Sequence, residues 1–372
     1  MQKKVLITGG AGFIGSHLAD ELIEKGYSVR ALDNLSEQVH GKDAKRPDYL
    51  NPQVELQIGD VRDPEAVNQA LEGVDAVFHF AAMVGVGQSM YQIKDYTDVN
   101  NVGTAVLMEA LMDKPVDKLV VASSMSIYGE GLYLDEEGKK RMECERKLAD
   151  LKKGKWEMFD ENGKILEPVA TSETKKPNLS SVYALSKYDQ ERLSLISGKA
   201  YNIPTTALRF FNVYGTRQAL SNPYTGVLAI FASRLLNNNP PLIFEDGNQK
   251  RDFIHVKDVA RACRLAMETP EADGEVFNIG SGNNYTIREI ADKLAEVMGK
   301  KELKAEITGK YRVGDIRHCF ADRSKSKEIL GFEPQVKFED GLFELAEWLK
   351  TQIATDSVDQ ASKELSSRGL TV

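Results

Sequence analysis

Tyr183-Ala184-Leu185-Ser186-Lys187 sets a phenol and an ammonium four positions apart. On a helix, positions i and i+4 share a face, so the two groups would sit side by side. A free tyrosine has a pKa of about 10 and is a poor base at neutral pH. A neighbouring cation stabilises the phenolate, lowers that pKa and turns the phenol into a general base for a hydroxyl. Alone, Tyr-x-x-x-Lys occurs often by chance and describes an exposed helix pair. Here a second group of hydroxyls accompanies it. Residues 120–129 read VVASSMSIYG, an apolar run ending in Ser123, Ser124 and Ser126. In an open parallel sheet, ligands bind at the carboxyl ends of strands, so Ser124 or Ser126 can reach a hydroxyl held beside Tyr183.

A third signal lies at the start of the chain. Residues 8–15 read TGGAGFIG. Gly10, Gly12 and Gly15 satisfy G-x-G-x-x-G, and Gly9, Gly12 and Gly15 satisfy a shifted variant. Such glycines allow a tight turn and let a pyrophosphate approach the backbone and the positive end of a helix. The context is right: a strand before, a helix after, and Asp33 closing the next strand 18 positions beyond Gly15. A carboxylate there binds both ribose hydroxyls and repels a 2′-phosphate, which favours NAD over NADP. Asp60-Val61, after the third strand, falls where an adenine would lie. Asp63-Pro64 just beyond reads as a helix cap.

These groups need a scaffold. Apolar runs at 4–7, 28–32, 54–58, 76–80, 119–123 and 205–209 read as strands. Helix-like segments at 14–25, 65–71, 101–112 and 182–200 alternate with them. Continuous apolar runs are strands buried on both faces, and the alternation implies a parallel sheet covered by helices. The fold expected is therefore α/β: a Rossmann-type doubly wound parallel sheet, residues 1–212, binding NAD. A smaller α/β lobe, residues 213–352, would bind substrate, with strands at 242–244 and 276–278 and helices at 226–237, 256–267, 287–298 and 338–351. Residues 131–171 read as a charged surface insertion, with a short helix at 143–151 and a hairpin turning at Asn162-Gly163. Residues 353–372 read as a polar tail, frayed or weakly helical.

Bulk properties exclude other classes. The chain has 372 residues, 42% hydrophobic and 28% charged, with net charge −8. That suits a globular protein with a real core and opposes nucleic-acid binding, which needs a basic face. No run approaches the length of a membrane helix, and the first residues lack a signal-peptide core, so a cytoplasmic protein is expected. Cys144, Cys263 and Cys319 form no metal-binding spacing, and no metal is expected. His79 and His255 lie in strand-like runs and read as structural.

Together the motifs resemble the NAD-dependent sugar epimerase/dehydratase family of extended short-chain dehydrogenases/reductases. The resemblance rests on residues 9–15, Asp33, Asp60-Val61, His79-Phe80-Ala81-Ala82, Ser123-Ser124 and Tyr183/Lys187. Residues 209–215 (RFFNVYG) and 250–259 (KRDFIHVKDV) belong to it too. It implies that Phe13, Ile14, Asn34, Phe80, Ala81, Ala82 and Ser123 line the cofactor site. It also implies that Asn100 supports the nicotinamide side, with Phe211 beside the ring. For the substrate it implies Asn212 near the sugar diphosphate, Arg251 and Arg312 clamping its phosphates and residues 241–244, with Phe244, flanking the base. Val84, Gly85 and Ser89 would line the sugar pocket. Arginine suits a clamp because its planar fork donates several hydrogen bonds.

The family's shared step, by the same resemblance, is hydride transfer from sugar C4 to NAD⁺, giving a 4-keto intermediate. Dehydratases of the family carry Thr-Asp-Glu where this chain has Ser124-Met125-Ser126. Met125 cannot act as an acid, so 4-epimerisation is the reaction expected. Residues 214–218, 312–319 and the long segment before Tyr183 are similar to epimerases of 6-deoxyhexoses such as dTDP-L-rhamnose. A UDP-hexose 4-epimerase is the nearest alternative. A nucleotide-sugar reductase, decarboxylase or dehydratase, and a non-catalytic NAD sensor, are others. A sensor would have lost Tyr183 or Lys187. The family also implies a homodimer, through helices at 101–112 and 182–200.

Overall fold

A computed structural model describes residues 2–42, 44–220, 222, 224, 226–352, 356 and 358–371. Seven strands build its main sheet: β1 Lys4–Thr8, β2 Ser28–Asp33, β3 Glu55–Ile58, β4 Ala76–His79, β5 Lys118–Ser124, β6 Thr205–Phe210 and β7 Val276–Ile279. Every pairing is parallel, in the order β7-β6-β5-β4-β1-β2-β3. Its helices include α1 Phe13–Glu24, α2 Pro64–Ala70, α3 Gly103–Asp113, α4 Val182–Ala200, α5 Val227–Leu236, α6 Val256–Glu268, α7 Ile287–Val297, α8 Phe338–Leu349 and α9 Val358–Ser367.

The period-2 alternation of a strand sends Val5 and Ile7 to one face and Leu6 to the other. Val5, Ile7, Val29 and Ala31 pack under Leu18 and Leu22 of α1 and Val259 and Ala266 of α6. Leu6, Val77, Leu119 and Val121 pack against Val67 of α2 and Leu107 and Leu111 of α3. Both faces are apolar because both are covered, which is why the strands read as unbroken apolar runs. The sheet is the doubly wound one expected. Its strand order reverses at β1, between β2 and β4, and the crevice at the carboxyl ends there is the place for a ligand.

Asp63 caps α2, accepting from the Glu65 amide at 3.0 Å, with Pro64 at the first helical position as expected. Ser181 caps α4 in the same way, through the Ala184 amide at 3.1 Å.

Four expectations change. The strand near 276–278, placed in the smaller lobe, runs instead as β7 at the edge of the main sheet, where Phe277 and Ile279 complete the core beneath α6. The chain thus returns to the large sheet after first leaving it. The helix expected from residue 101 begins earlier, as a π-helical stretch Thr97–Val102 leading into α3. That looser turn carries the buried Asn100.

Nor are residues 131–171 a mere surface excursion. Leu132–Leu134 pairs with Lys140–Arg141 and Glu167–Val169 over a small core of Tyr133, Cys144, Met158 and Leu166. The hairpin turns at Gly163, with φ +80, as expected. The helix is confined to Leu148–Leu151, because Cys144 is drawn into that core and Arg146 into a buried ion network.

Within the tail, residues 358–367 form a packed helix rather than a frayed one. Val358, Ala361 and Leu365 fall on one helical face and are buried, which fixes α9 against the protein. In the smaller lobe, α5, α7 and α8 pack around Phe231, Leu235, Ile290, Leu294 and Leu342.

Candidate active site

One cavity of about 840 Å³ lies along the carboxyl ends of the strands and runs under the smaller lobe. That is at the upper end of the range for a bound small molecule. At one end stands the glycine turn. Gly12 occupies the N-cap position of α1 and offers no side-chain cap, so first-turn amides stay open to the cavity. Gly15 is required by packing: a Cβ there would come within 2.4 Å of the Gly9 carbonyl oxygen. Gly9 has φ +71, and a Cβ on it would press on the Ala81 amide at 2.9 Å. The turn is thus built to bring backbone amides against an anionic group.

Asp33 ends β2 beside this turn. Its Oδ2 accepts from the Ala11 amide at 3.0 Å and its Oδ1 from the Leu35 amide at 2.9 Å. A carboxylate has about four acceptor positions, so two remain for ribose hydroxyls. His40, unforeseen in the sequence, lies 3.9 Å from Asp33 Oδ1 and lines the same end. Asp60 is held by Arg62, whose Nε and Nη2 both reach it at 2.8 Å. That bond lowers the Asp60 carboxyl to about 2. Asn34 donates to Asp60 at 3.1 Å. These residues line the cavity together with Phe13, Ile14, Val61, Phe80, Ala81 and Ala82. The glycine cradle and the free Asp33 positions fit NAD.

Midway along the cavity, Ser123, Ser124, Ser126, Tyr183 and Lys187 converge. Ser126 Oγ donates to Ser124 Oγ at 2.9 Å, and Ser124 hydrogen-bonds the Tyr183 hydroxyl. Ser123 donates to Glu191 at 2.6 Å, and Glu191 takes a two-pronged ion pair from Arg209. This buried pair locks β5, β6 and α4 together under the site. Lys187 and Tyr183 share a face of α4, but Lys187 Nζ donates to Gln190 Oε1 at 2.7 Å. Burial lowers Lys187 to about 7 and raises the Tyr183 phenol, which the Ser124 bond only partly opposes. The expectation that Lys187 by itself lowers the Tyr183 pKa therefore fails in the resting site. Desolvation outweighs a neighbour that is itself partly discharged.

At the far end, Arg312 lies over the Phe244 ring, 4.6 Å from its centroid, and donates to Asp315 Oδ2 at 3.0 and 3.2 Å. Arg251 donates to the carbonyls of Lys250, Ile316 and Arg317. Both arginines line the cavity but already have partners, and Asp315 is the anion beside them.

The model of the NAD dependent epimerase/dehydratase family matches residues 5–146 and 157–280. The chain belongs to this family. Its cofactor is NAD, and it is an isomerase. It is 36% identical to a dTDP-L-rhamnose 4-epimerase of Burkholderia thailandensis, over 94% of this chain and 96% of the relative. It is 33% identical to a putative UDP-glucose 4-epimerase of Methanocaldococcus jannaschii, over 94% and 100%. Among solved structures, the UDP-glucose 4-epimerase of Thermus thermophilus in complex with NAD superposes with a TM-score of 0.75 at 30% identity, over 94% of this chain and 100% of that one.

Two residues expected to face ligands do not line the cavity of this isomerase. Asn100 is fully buried, bonding the Met83 amide at 2.7 Å and carbonyl at 3.1 Å and the Ser186 hydroxyl at 2.9 Å. It braces the loop after β4 against α4. Ser89 is also buried; it accepts from the Tyr183 amide at 3.0 Å and donates to the Val86 carbonyl. Its hydroxyl fixes the start of α4 and so the position of Tyr183. The two histidines behave as expected. His79 bridges Thr8 and Thr104 at 2.8 Å on each side, and His255 accepts from the Lys257 amide at the start of α6.

Other lining residues carry no motif. The tail contributes Val358, Ala361, Ser362, Leu365 and Leu370, and the insertion acts from behind. Arg146 pairs with Glu130 at 3.0 Å and Glu245 at 2.6 Å, and donates to the Asp315 carbonyl at 2.8 Å. Arg317, fully buried, pairs with Glu157, Glu245 and Asp246. This network fixes residues 315–317, the segment on which Arg251 and Arg312 rest. Among the described residues, no cluster of three or more metal-ligating side chains is present, and no helix is long and apolar enough to cross a membrane.

Proposed function

We propose that this isomerase inverts C4 of a nucleotide-linked sugar, and that the sugar is a dTDP-6-deoxyhexose such as dTDP-L-rhamnose. The observation that carries the reading is the hydroxyl triad of Ser124, Ser126 and Tyr183 in the cavity, with Met125 beside it where a dehydratase needs an acid. NAD, which the glycine turn and Asp33 would hold, would supply the hydride acceptor and donor and, oxidised, a positive charge in the site.

Tyr183 takes the proton of the C4 hydroxyl as that hydride leaves. Ser124 holds the same oxygen, and Ser126 orients Ser124 by donating to it. Lys187 leaves Gln190 to support the nicotinamide ribose and the phenolate. Its charge and that of the ring together offset the desolvation that raises Tyr183 in the resting site. Arg251 and Arg312 grip the diphosphate, Asp315 yielding Arg312 as the more highly charged ligand arrives. Met125 offers no acid where elimination would need one, so inversion at C4 would be the outcome rather than loss of water.

The main sheet holds NAD and the smaller lobe holds the nucleotide sugar. Exposed Val102, Leu185 and Ile196 on the π-helical stretch and α4 support a homodimer through these helices, and the protein acts in the cytoplasm. A UDP-hexose 4-epimerase is the second reading, favoured by the likeness to the UDP-glucose 4-epimerases.

The purified protein, incubated with dTDP-, UDP- and GDP-sugars and followed by NMR, tests both. Inversion at C4 of dTDP-L-rhamnose, faster than of UDP-glucose, is the expected result. Loss of water, or no turnover of any sugar in the panel, overturns the reading.

A further inference from the structure

The C-terminal segment contributes a wall to the cavity that no motif announces. Val358, Ala361, Leu365 and Leu370 line it, with Ser362 the one polar side chain among them. At the sugar end, the Leu365 methyls lie against Gly87: a Cβ on that glycine would come within 3.3 Å of them. Gly87 belongs to the loop after β4 that carries Val84, Gly85, Val86 and Met90, all facing the same cavity. At the other end, the Val313 amide donates to the Leu370 carbonyl at 3.0 Å, next to Arg312, which itself bridges to Thr371.

The wall is anchored from outside. Arg234 pairs with Asp356 at 3.4 Å and Asp359 at 3.1 Å, and Asn239 donates to Asp356 at 2.7 Å. Arg368 lies over the Tyr91 ring, 4.5 Å from its centroid, and Tyr91 donates to Tyr224 at 2.6 Å. Tyr224 also lines the cavity. The segment therefore spans the substrate half of the site, tied at both ends.

The geometry points to α9 as the outer wall of the sugar end, with Leu365 as the residue that selects a sugar whose C6 is a methyl. This rests on the nucleotide-sugar reading above. The wall meets the sugar with apolar carbon from Leu365, Ala361 and Met90. A methyl buries there without loss. A C6 hydroxyl or carboxylate would lose water against these three side chains, none of which carries a hydroxyl, amide or charge to replace it. An apolar pocket rejects an added hydroxyl by up to about 100-fold, which bounds the effect.

The test compares a dTDP-6-deoxyhexose with the dTDP-hexose of the same configuration that carries a 6-hydroxyl. Wild-type enzyme is expected to favour the former by at least about tenfold in kcat/KM. Leu365→Ser is expected to cut that preference at least fivefold, mainly through KM of the 6-deoxy sugar, with bound NAD retained. Asp356→Ala, which lies outside the cavity and releases the anchor, should shift the preference the same way and serves where Leu365→Ser does not fold. An unchanged preference ratio in a variant that retains NAD overturns the proposal, even if both rates fall together. Wild-type enzyme that turns over neither sugar marks failure of the parent reading, and this inference falls with it.

Discussion

Lys187 Nζ donates to Gln190 Oε1 at 2.7 Å, and not to Tyr183, its neighbour one helical turn away. Gln190 in turn donates to Thr104 at 2.9 Å, so the ammonium is parked on a buried polar chain. In the resting site the ammonium is bonded to Gln190, and burial raises the phenol. Activation of Tyr183 thus depends on what the filled site adds. Tyr183→Phe removes the only group in the triad able to accept the proton as a phenolate. General-base catalysis contributes about 10² to 10⁴. Turnover should fall by about that factor with cofactor content unchanged, measured by epimerisation rate and by NAD released on denaturation. Normal turnover in this variant contradicts the role of Tyr183.

Gly15→Ala tests the phosphate turn. The added Cβ meets backbone, the Gly9 carbonyl at 2.4 Å and Gly10 Cα at 2.7 Å, so no side-chain rotation relieves the clash. The turn must open, carrying Gly12 and the first-turn amides away from the anion. Overpacking of this kind costs about 1–3 kcal/mol. The variant should be purified with far less NAD than wild type and should melt several degrees lower. Full NAD content would show that the turn does not grip the cofactor.

What could be read from the sequence was what local rules decide. Residues 4–7 and 119–123 are buried on both faces, so their apolar runs announced strands, and Asp63-Pro64 announced a cap. The glycine turn, Asp33, Ser124 and Tyr183 were legible because each chemistry needs a fixed residue type at a fixed spacing. Asn100 and Ser89, expected at the ligands, lie buried outside the cavity lining. Their spacing marks them as belonging to the site, but only the packing of α4 shows that they serve its backbone. Arg146, Arg317 and Leu365 were missed for a different reason. Their partners lie far along the chain, and a charged insertion or a Ser-rich tail gives no sign of what will bury it. The edge strand β7 was assigned to the wrong layer because pairing with β6 is a long-range event.

The insertion yields the next prediction. Arg146 joins Glu130 and Glu245 to the Asp315 carbonyl, and so sets residues 315–317 beneath Arg251 and Arg312. Arg146→Ala leaves two buried carboxylates short of a partner, which costs about 3–5 kcal/mol. The melting temperature should drop. In the protein that remains folded, KM for the nucleotide sugar should rise at least tenfold while kcat stays within about twofold, because the proton-transfer groups are untouched. A fall in kcat at constant KM would place Arg146 elsewhere in the mechanism.

Acid stability follows from the histidines. Burial lowers all five: His79 to about 3 and His17 to about 4, with His40, His255 and His318 also below their usual value. In the unfolded chain each titrates at about 6.5. Between that pH and the folded value, the unfolded state binds the extra proton, so stability rises with pH across the window and falls on acidification. His79 and His17 each contribute about 1.4 kcal/mol per pH unit between a pH well below 6.5 and their folded values, and the other three add in the same direction. Urea midpoints should therefore fall between pH 7 and pH 5, where most carboxylates remain ionised. His79→Gln should flatten the dependence by about one histidine's share; its amide cannot bridge Thr8 and Thr104 as the ring does, so the variant is also less stable at pH 7. A midpoint that stays level from pH 7 to pH 5 in the wild-type protein would mean that the buried imidazoles accept protons without unfolding.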